Sequence, residues 1–101
     1  MTSLPKRLKR DLTGHDAKSV PEMGWAGQTN GALLTLAQVD FDVFLTVDRN
    51  LSFQQDVNRF NIAVVVLVAT SNKHSILQPL IPAVLVVLTA LVPGQVVRVG
   101  A

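Results

Sequence analysis

Residues Ile62 to Ala69, IAVVVLVA, form an unbroken apolar run with no alternation of polar and apolar positions. A strand with one wetted face alternates with period two, whereas a strand covered on both faces does not. The run is too short for a core helix and rich in β-branched side chains, so it reads as the buried strand of a parallel sheet. Such a strand obliges the rest of the chain to supply parallel neighbours and helices for both faces.

The flanking sequence supplies them. Phe41 to Val47 (FDVFLTV) and Gln95 to Val99 read as further strands, and His15 to Val20 as a short one. Thr29 or Asn30 can cap a helix whose apolar positions include Leu33, Leu34, Leu36 and Ala37. Asp48-Arg49-Asn50 leaves the second strand and opens a short helix through about Val57. Thr70-Ser71-Asn72 caps a helix over Lys73 to Leu91, which Pro93-Gly94 ends. At the start, Ser3-Leu4-Pro5 opens a short helix with Leu4, Leu8 and Leu12 on one face. The order predicts a single α/β domain, residues 1–101, with a mostly parallel sheet and helices on both faces.

Composition narrows the compartment and the partners. The 101 residues are 49% hydrophobic, which excludes a disordered chain, and the absence of cysteine excludes disulfides and thiolate zinc sites. The net charge of +2 is small. Its basic part is concentrated in the first helix, at Lys6, Arg7, Lys9 and Arg10, where RNA phosphates or plain solvent can face it. Asp11 to Asp16 follow these residues where a secretory signal would place an apolar run, which predicts a cytoplasmic protein. Ile76 to Val92 is uncharged but carries Gln78, Pro79 and Pro82 without a flanking basic cluster. It reads as a buried helix, with no membrane association.

In open parallel sheets, ligands bind beyond the carboxyl ends of the strands. Asp48 holds such a position. Its carboxylate can cap the following helix, hold a divalent metal, or do both. Asn50 adds an amide oxygen, and Arg49 can face a phosphate. Asp42 precedes Asp48 by six residues, about 20 Å along an extended strand, too far to share an ion with it. Asp56 is also too distant for a shared ligand shell. His15 and His74 lack ligand spacing, and Ser71 and Ser75 lack the context of a strained nucleophile turn. Gly24-Trp25-Ala26-Gly27 has neither the lysine nor the spacing of a phosphate loop. Trp25 can stack on a base or pack over its own loop.

Three stretches, GHDAKSVPEMGWAGQTNGALLTLAQVDFDVFLTVDRNLSFQQ, IAVVVLVATSN and PGQVVRVG, together span most of the chain. In combination they resemble a small bacterial PIN-like domain, a family of unknown function related to the VapC-like ribonuclease toxins of toxin–antitoxin systems. The resemblance implies a PIN-like layered fold and Mg²⁺- or Mn²⁺-dependent RNA cleavage. It implies Asp48 as the catalytic acid and metal ligand, Asn50 as a second ligand, and Arg49, Asn30 and the four basic residues as RNA contacts. An antitoxin protein is the implied partner. Two departures accompany it. Leu4-Pro5 is preceded only by Met1, Thr2 and Ser3, so the family's first strand, ending in Asp-Glu, is absent, as in a truncated or decayed copy. The helical Glu of the family is Ala32 here, within Asn30-Gly31-Ala32-Leu33-Leu34. With that strand gone, apolar surface on its neighbours favours a homodimer. With those acids gone, the expectation extends to a non-catalytic remnant that binds RNA or protein.

Changing Lys6, Arg7, Lys9 and Arg10 to glutamine is expected to weaken RNA binding. It should also flatten the log–log salt dependence, by about 0.7 for each phosphate of a single strand that is no longer neutralised. Binding by the unmodified chain that ignores salt would overturn these phosphate interactions.

Overall fold

The centre of the fold is strand β2, Ala63–Val68, where Ala63, Val64, Val65, Val66 and Leu67 are all 0–1% exposed. A computed structural model of the chain describes residues 18–47, 56–69 and 74–100. β2 pairs in parallel with β1 (Val43–Thr46) on one edge and with β3 (Val96–Gly100) on the other, giving a three-stranded sheet in the order β1-β2-β3. The register sets Phe44 beside Val64 and Thr46 beside Val66, and across the other edge Val64 beside Val96 and Leu67 beside Val99.

Because successive strand side chains alternate between faces, the apolar run of β2 divides into two cores. Val64 and Val66 join Phe44, Ile62, Val57 and Val20 on one face, under Leu33, Leu34 and Ala37 of helix α1 (Asn30–Asp40). Val65 and Leu67 join Leu45 and Val99 on the other, under Leu77, Ile81 and Val84 of the helical segment between β2 and β3. Helices therefore cover both faces of a parallel α/β sheet, as the sequence pattern requires.

Local chemistry explains where each element starts and stops. Of the two cap candidates, Thr29 is the cap: its Oγ1 accepts the N–H of Ala32 at 3.2 Å. The helical segment expected over Lys73 to Leu91 comprises α2 (His74–Leu77), a 3-10 turn (Gln78–Leu80) and α3 (Ile81–Leu88). Pro79 and Pro82 lack the N–H that an α-helical ladder uses. The chain tightens at the first proline, where Ile81 N–H donates to Gln78 O, and keeps right-handed helical dihedrals at Leu77, Leu80 and Ile81. No helix among the described residues is long and apolar enough to cross a membrane.

Other expectations shift. The strand expected at His15 to Val20 is, over its described part, a single bridge at Ser19 followed by turns from Val20 to Gly24. Ser19 N–H donates to Glu22 Oε1 at 3.2 Å and Glu22 N–H to Ser19 Oγ at 3.3 Å, and these reciprocal bonds favour a turn over an extended strand. The helix expected from Asp48 to about Val57 lies almost wholly outside the described residues, and Val57 itself begins a 3-10 turn, Val57–Arg59. The last strand is one residue later than expected and ends at Gly100, with φ at +112°. A Cβ there would lie 2.6 Å from the carbonyl oxygen of Val68, so β3 closes against β2 only with glycine at this position.

Gly100→Ala is therefore expected to destabilise the fold by about 1–3 kcal/mol, as strained backbone sites do. Urea unfolding measures this, and a loss below about 0.5 kcal/mol, the range of ordinary surface substitutions, would show that the Val68–Gly100 pairing is not held in solution.

Candidate functional site

Helix α1 ends at Asp40 and β1 begins at Val43, so the chain reverses within a short connection. The 11 residues of α1 run back across the sheet for about 16 Å, with Leu33, Leu34 and Ala37 against Phe44, Val64 and Val66. This sets the amino end of α1, at Thr29 and Asn30, on the side where β1 and β2 end. The carboxyl edge is thus bordered by Thr46-Val47, by Val68-Ala69 and by the start of α1. Thr46, the last residue of β1, is 2% exposed.

The opposite edge carries most of the described acids. Asp40 ends α1, and Asp42 precedes β1 with its carbonyl accepting Ala63 N–H at 2.9 Å. Asp56 forms an exposed ion pair with Arg59 at 3.4 Å, just before the 3-10 turn that leads into β2. Asn61 N–H donates to Gln38 Oε1 at 2.9 Å, tying the last part of α1 to the entry of β2. Asp42 thus stands where β1 and β2 begin. Among the described residues, no three His, Cys, Asp or Glu side chains come together as a metal-holding group.

Of the residues selected from sequence, Asn30 is the first residue of α1, at the carboxyl edge. Asp48, Arg49 and Asn50 lie outside the described residues, and so do Lys6, Arg7, Lys9 and Arg10. Val47, the last described residue before Asp48, is where β1 leaves the sheet. Ala32 sits in the first turn of α1, its N–H committed to the Thr29 cap. His74 opens α2 and Ser75 is exposed beside it, while His15 and Ser71 lie outside the described residues.

No protein-family model, curated protein or solved structure matches this chain.

The loop from Ser19 to Gln28 leads into the Thr29 cap of α1, with Val20 buried and Met23 and Trp25 packed against the core on the α1 side. Several of its N–H groups bond within it: Gly24 donates to Pro21 O, Trp25 to Val20 O and Gln28 to Trp25 O. Backbone donors used in this way are not available to cradle a phosphate. The reciprocal Ser19–Glu22 bonds were missed at the level of sequence, although Ser-x-x-Glu is the pattern in which such bonds form. The Gln38–Asn61 bond joins residues 23 positions apart and has no local signature.

Thr29→Ala removes the cap on which the position of the α1 amino end depends. It is expected to cost about 1 kcal/mol, within the usual 0.5–2 range for caps, read as a lower urea midpoint. Thr29→Asp, which keeps an acceptor, should retain stability; an equal loss in both variants would show that the hydroxyl does not cap the helix.

Proposed function

We propose that the chain is a PIN-like ribonuclease, with a divalent metal held at Asp48 beyond the carboxyl end of β1. The observation that carries this reading is the exit of β1. Val47 leaves a parallel, doubly covered sheet at its carboxyl edge, and Asp48 is the next residue in the chain. Parallel sheets of this kind bind ligands beyond that edge. Asp48 and Asn50 would supply oxygen donors, the ligand type that Mg²⁺ and Mn²⁺ take. Asp40, Asp42 and Asp56 belong to the other edge and take no part. Water activation and charge neutralisation at the scissile phosphate are the chemistry that Mg²⁺ or Mn²⁺ would supply when bound. Arg49 pairs with phosphate oxygens, Asn30 contacts the RNA strand, and the basic residues Lys6, Arg7, Lys9 and Arg10 draw RNA in.

The same reading makes the chain a cytoplasmic toxin of a toxin–antitoxin pair. An antitoxin protein is its partner, and a second copy of the chain is a further one. Exposed Leu36, Val39 and Val86 are apolar surface that such partners can cover.

A second reading rests on Ala32. The first turn of α1 lies at the carboxyl edge and holds a methyl group where the resemblance expects a Glu. One carboxylate and one amide compensate little of the dehydration of Mg²⁺. On this reading the chain is a remnant that binds RNA or a protein without cleaving.

Incubation of the purified chain with single-stranded RNA in Mn²⁺ separates the two. The ribonuclease reading expects cleavage that EDTA abolishes and that Asp48→Asn lowers by at least about 100-fold, the scale of losing an essential electrostatic group. It also expects Ala32→Glu to raise the rate. No cleavage by folded protein, with or without Ala32→Glu, leaves the remnant reading. Growth unaffected by strong induced expression would count against the toxin role.

A further inference from the structure

From Ser75 to Val97 the chain carries no Asp, Glu, Lys or Arg, yet much of this stretch faces water. Its inner side packs on the sheet, with Leu77, Ile81 and Val84 against Val65, Leu67 and Val99. Its outer side is apolar as well. Ile76 is 41% exposed, Val86 71% and Val92 58%, and these are three of the five large exposed hydrophobics among the described residues. A surface helix turns polar and charged residues outward, whereas one that is apolar on every side is a helix that something covers.

Polar side chains on and beside this face turn back to their own backbone. The Thr89 hydroxyl donates to Val86 O at 2.7 Å, and Gln95 Oε1 accepts Val92 N–H at 3.2 Å. The carbonyls at the end of α3 also find donors, Val86 O the N–H of Thr89 and Val87 O the N–H of Ala90. A surface satisfied in this way gives up few bonds to water when it is covered.

The spacing selects the cover. Pro79, Ala83, Val86 and Ala90 are all exposed and follow one another at intervals of four, three and four, the spacing of a helix seam. That order is the same in both directions. An antiparallel second copy, turned about a two-fold axis between Ala83 and Val86, therefore sets Val86 of each copy over Ala83 of the other, and Pro79 over Ala90. A branched side chain then meets a methyl group rather than its own equal. No like charges face each other across such an axis, and copies with a formal net charge of +2 repel little. A membrane-surface helix carries Lys or Arg beside its apolar face, and this stretch has neither.

We infer that the outer face of α2 and α3 is the surface on which a second copy of the chain docks, antiparallel, through Ala83 and Val86. This deepens the homodimer of the proposed reading and is independent of its metal chemistry.

The test is sedimentation equilibrium of the full chain in EDTA. The seam is short, about 20 Å, so the interface is of the weak class and loading runs from about 5 to about 500 µM. The mass is expected to rise from 10.9 kDa toward twice that value. Val86→Lys and Ala83→Glu, both at exposed positions, should each stay monomeric. An equimolar mixture of the two should restore the dimer, because the new ammonium then meets the new carboxylate. Val39→Lys, on the exposed side of α1, should leave the dimer intact. A monomer throughout the range, which leaves the face to a different protein, would overturn the inference. So would a dimer that survives Val86→Lys, a mixture that stays monomeric, or a monomer that cosediments with phosphatidylcholine vesicles. The mass series uses the unmodified chain, so it decides even where a variant does not fold. Cleavage in Mn²⁺ is scored separately. A dimer that does not cleave RNA keeps the interface and removes the nuclease, whereas a cleaving monomer does the reverse.

Discussion

Pairing β2 along both edges and covering it on both faces is the constraint on which the other contacts depend. Five consecutive residues, Ala63 to Leu67, are withdrawn from water almost completely. Their backbone groups must be satisfied within the protein, because an unpaired buried amide costs about 1–3 kcal/mol. β1 and β3 meet that need along the edges. The side chains then require two apolar layers, which α1 and the Leu77–Val84 segment provide. Loss of either layer would expose half of the run, so the two cores are coupled through one strand.

The position of the candidate site follows from this arrangement. A parallel sheet sends its strands the same way, so the exits of β1 and β2 share one edge. α1 must run back across the sheet to cover Phe44, Val64 and Val66, and its amino end arrives at that edge. Burial of apolar surface thereby brings the helix start and the strand exits to one edge. The acids of the other edge are kept away by the length of the strands. A divalent ion needs several oxygen donors around it, and that separation withholds Asp40, Asp42 and Asp56 from the carboxyl edge.

Much of the fold was legible locally. IAVVVLVA announced a doubly covered strand because alternation vanishes only when both faces are dry. FDVFLTV and the final VVRV were legible by their β-branched and aromatic content. The helix after Thr29 was legible from its apolar spacing, though not which of Thr29 and Asn30 capped it, since both side chains can accept the same N–H. At Ser19 and Val20, the described end of the strand expected at His15 to Val20, the side-chain bonds of Ser19 and Glu22 prevailed over strand propensity. The length of the helix after β2 was overestimated because Thr89, whose hydroxyl donates to Val86 O at 2.7 Å, ends it early.

The sequence by itself determined that the chain forms a parallel α/β sheet with a buried central strand, since periodicity and side-chain branching are local properties. It also determined that a carboxylate follows the Phe41–Val47 strand directly. Only the tertiary structure decided which strands are neighbours, which face each helix covers, and that the amino end of α1 shares an edge with the exit of β1. Those relations depend on contacts between distant residues, such as Asn61 with Gln38 and Gly100 with Val68. Pairings of this kind form only once the whole apolar surface has found its cover, and no window of local sequence records them.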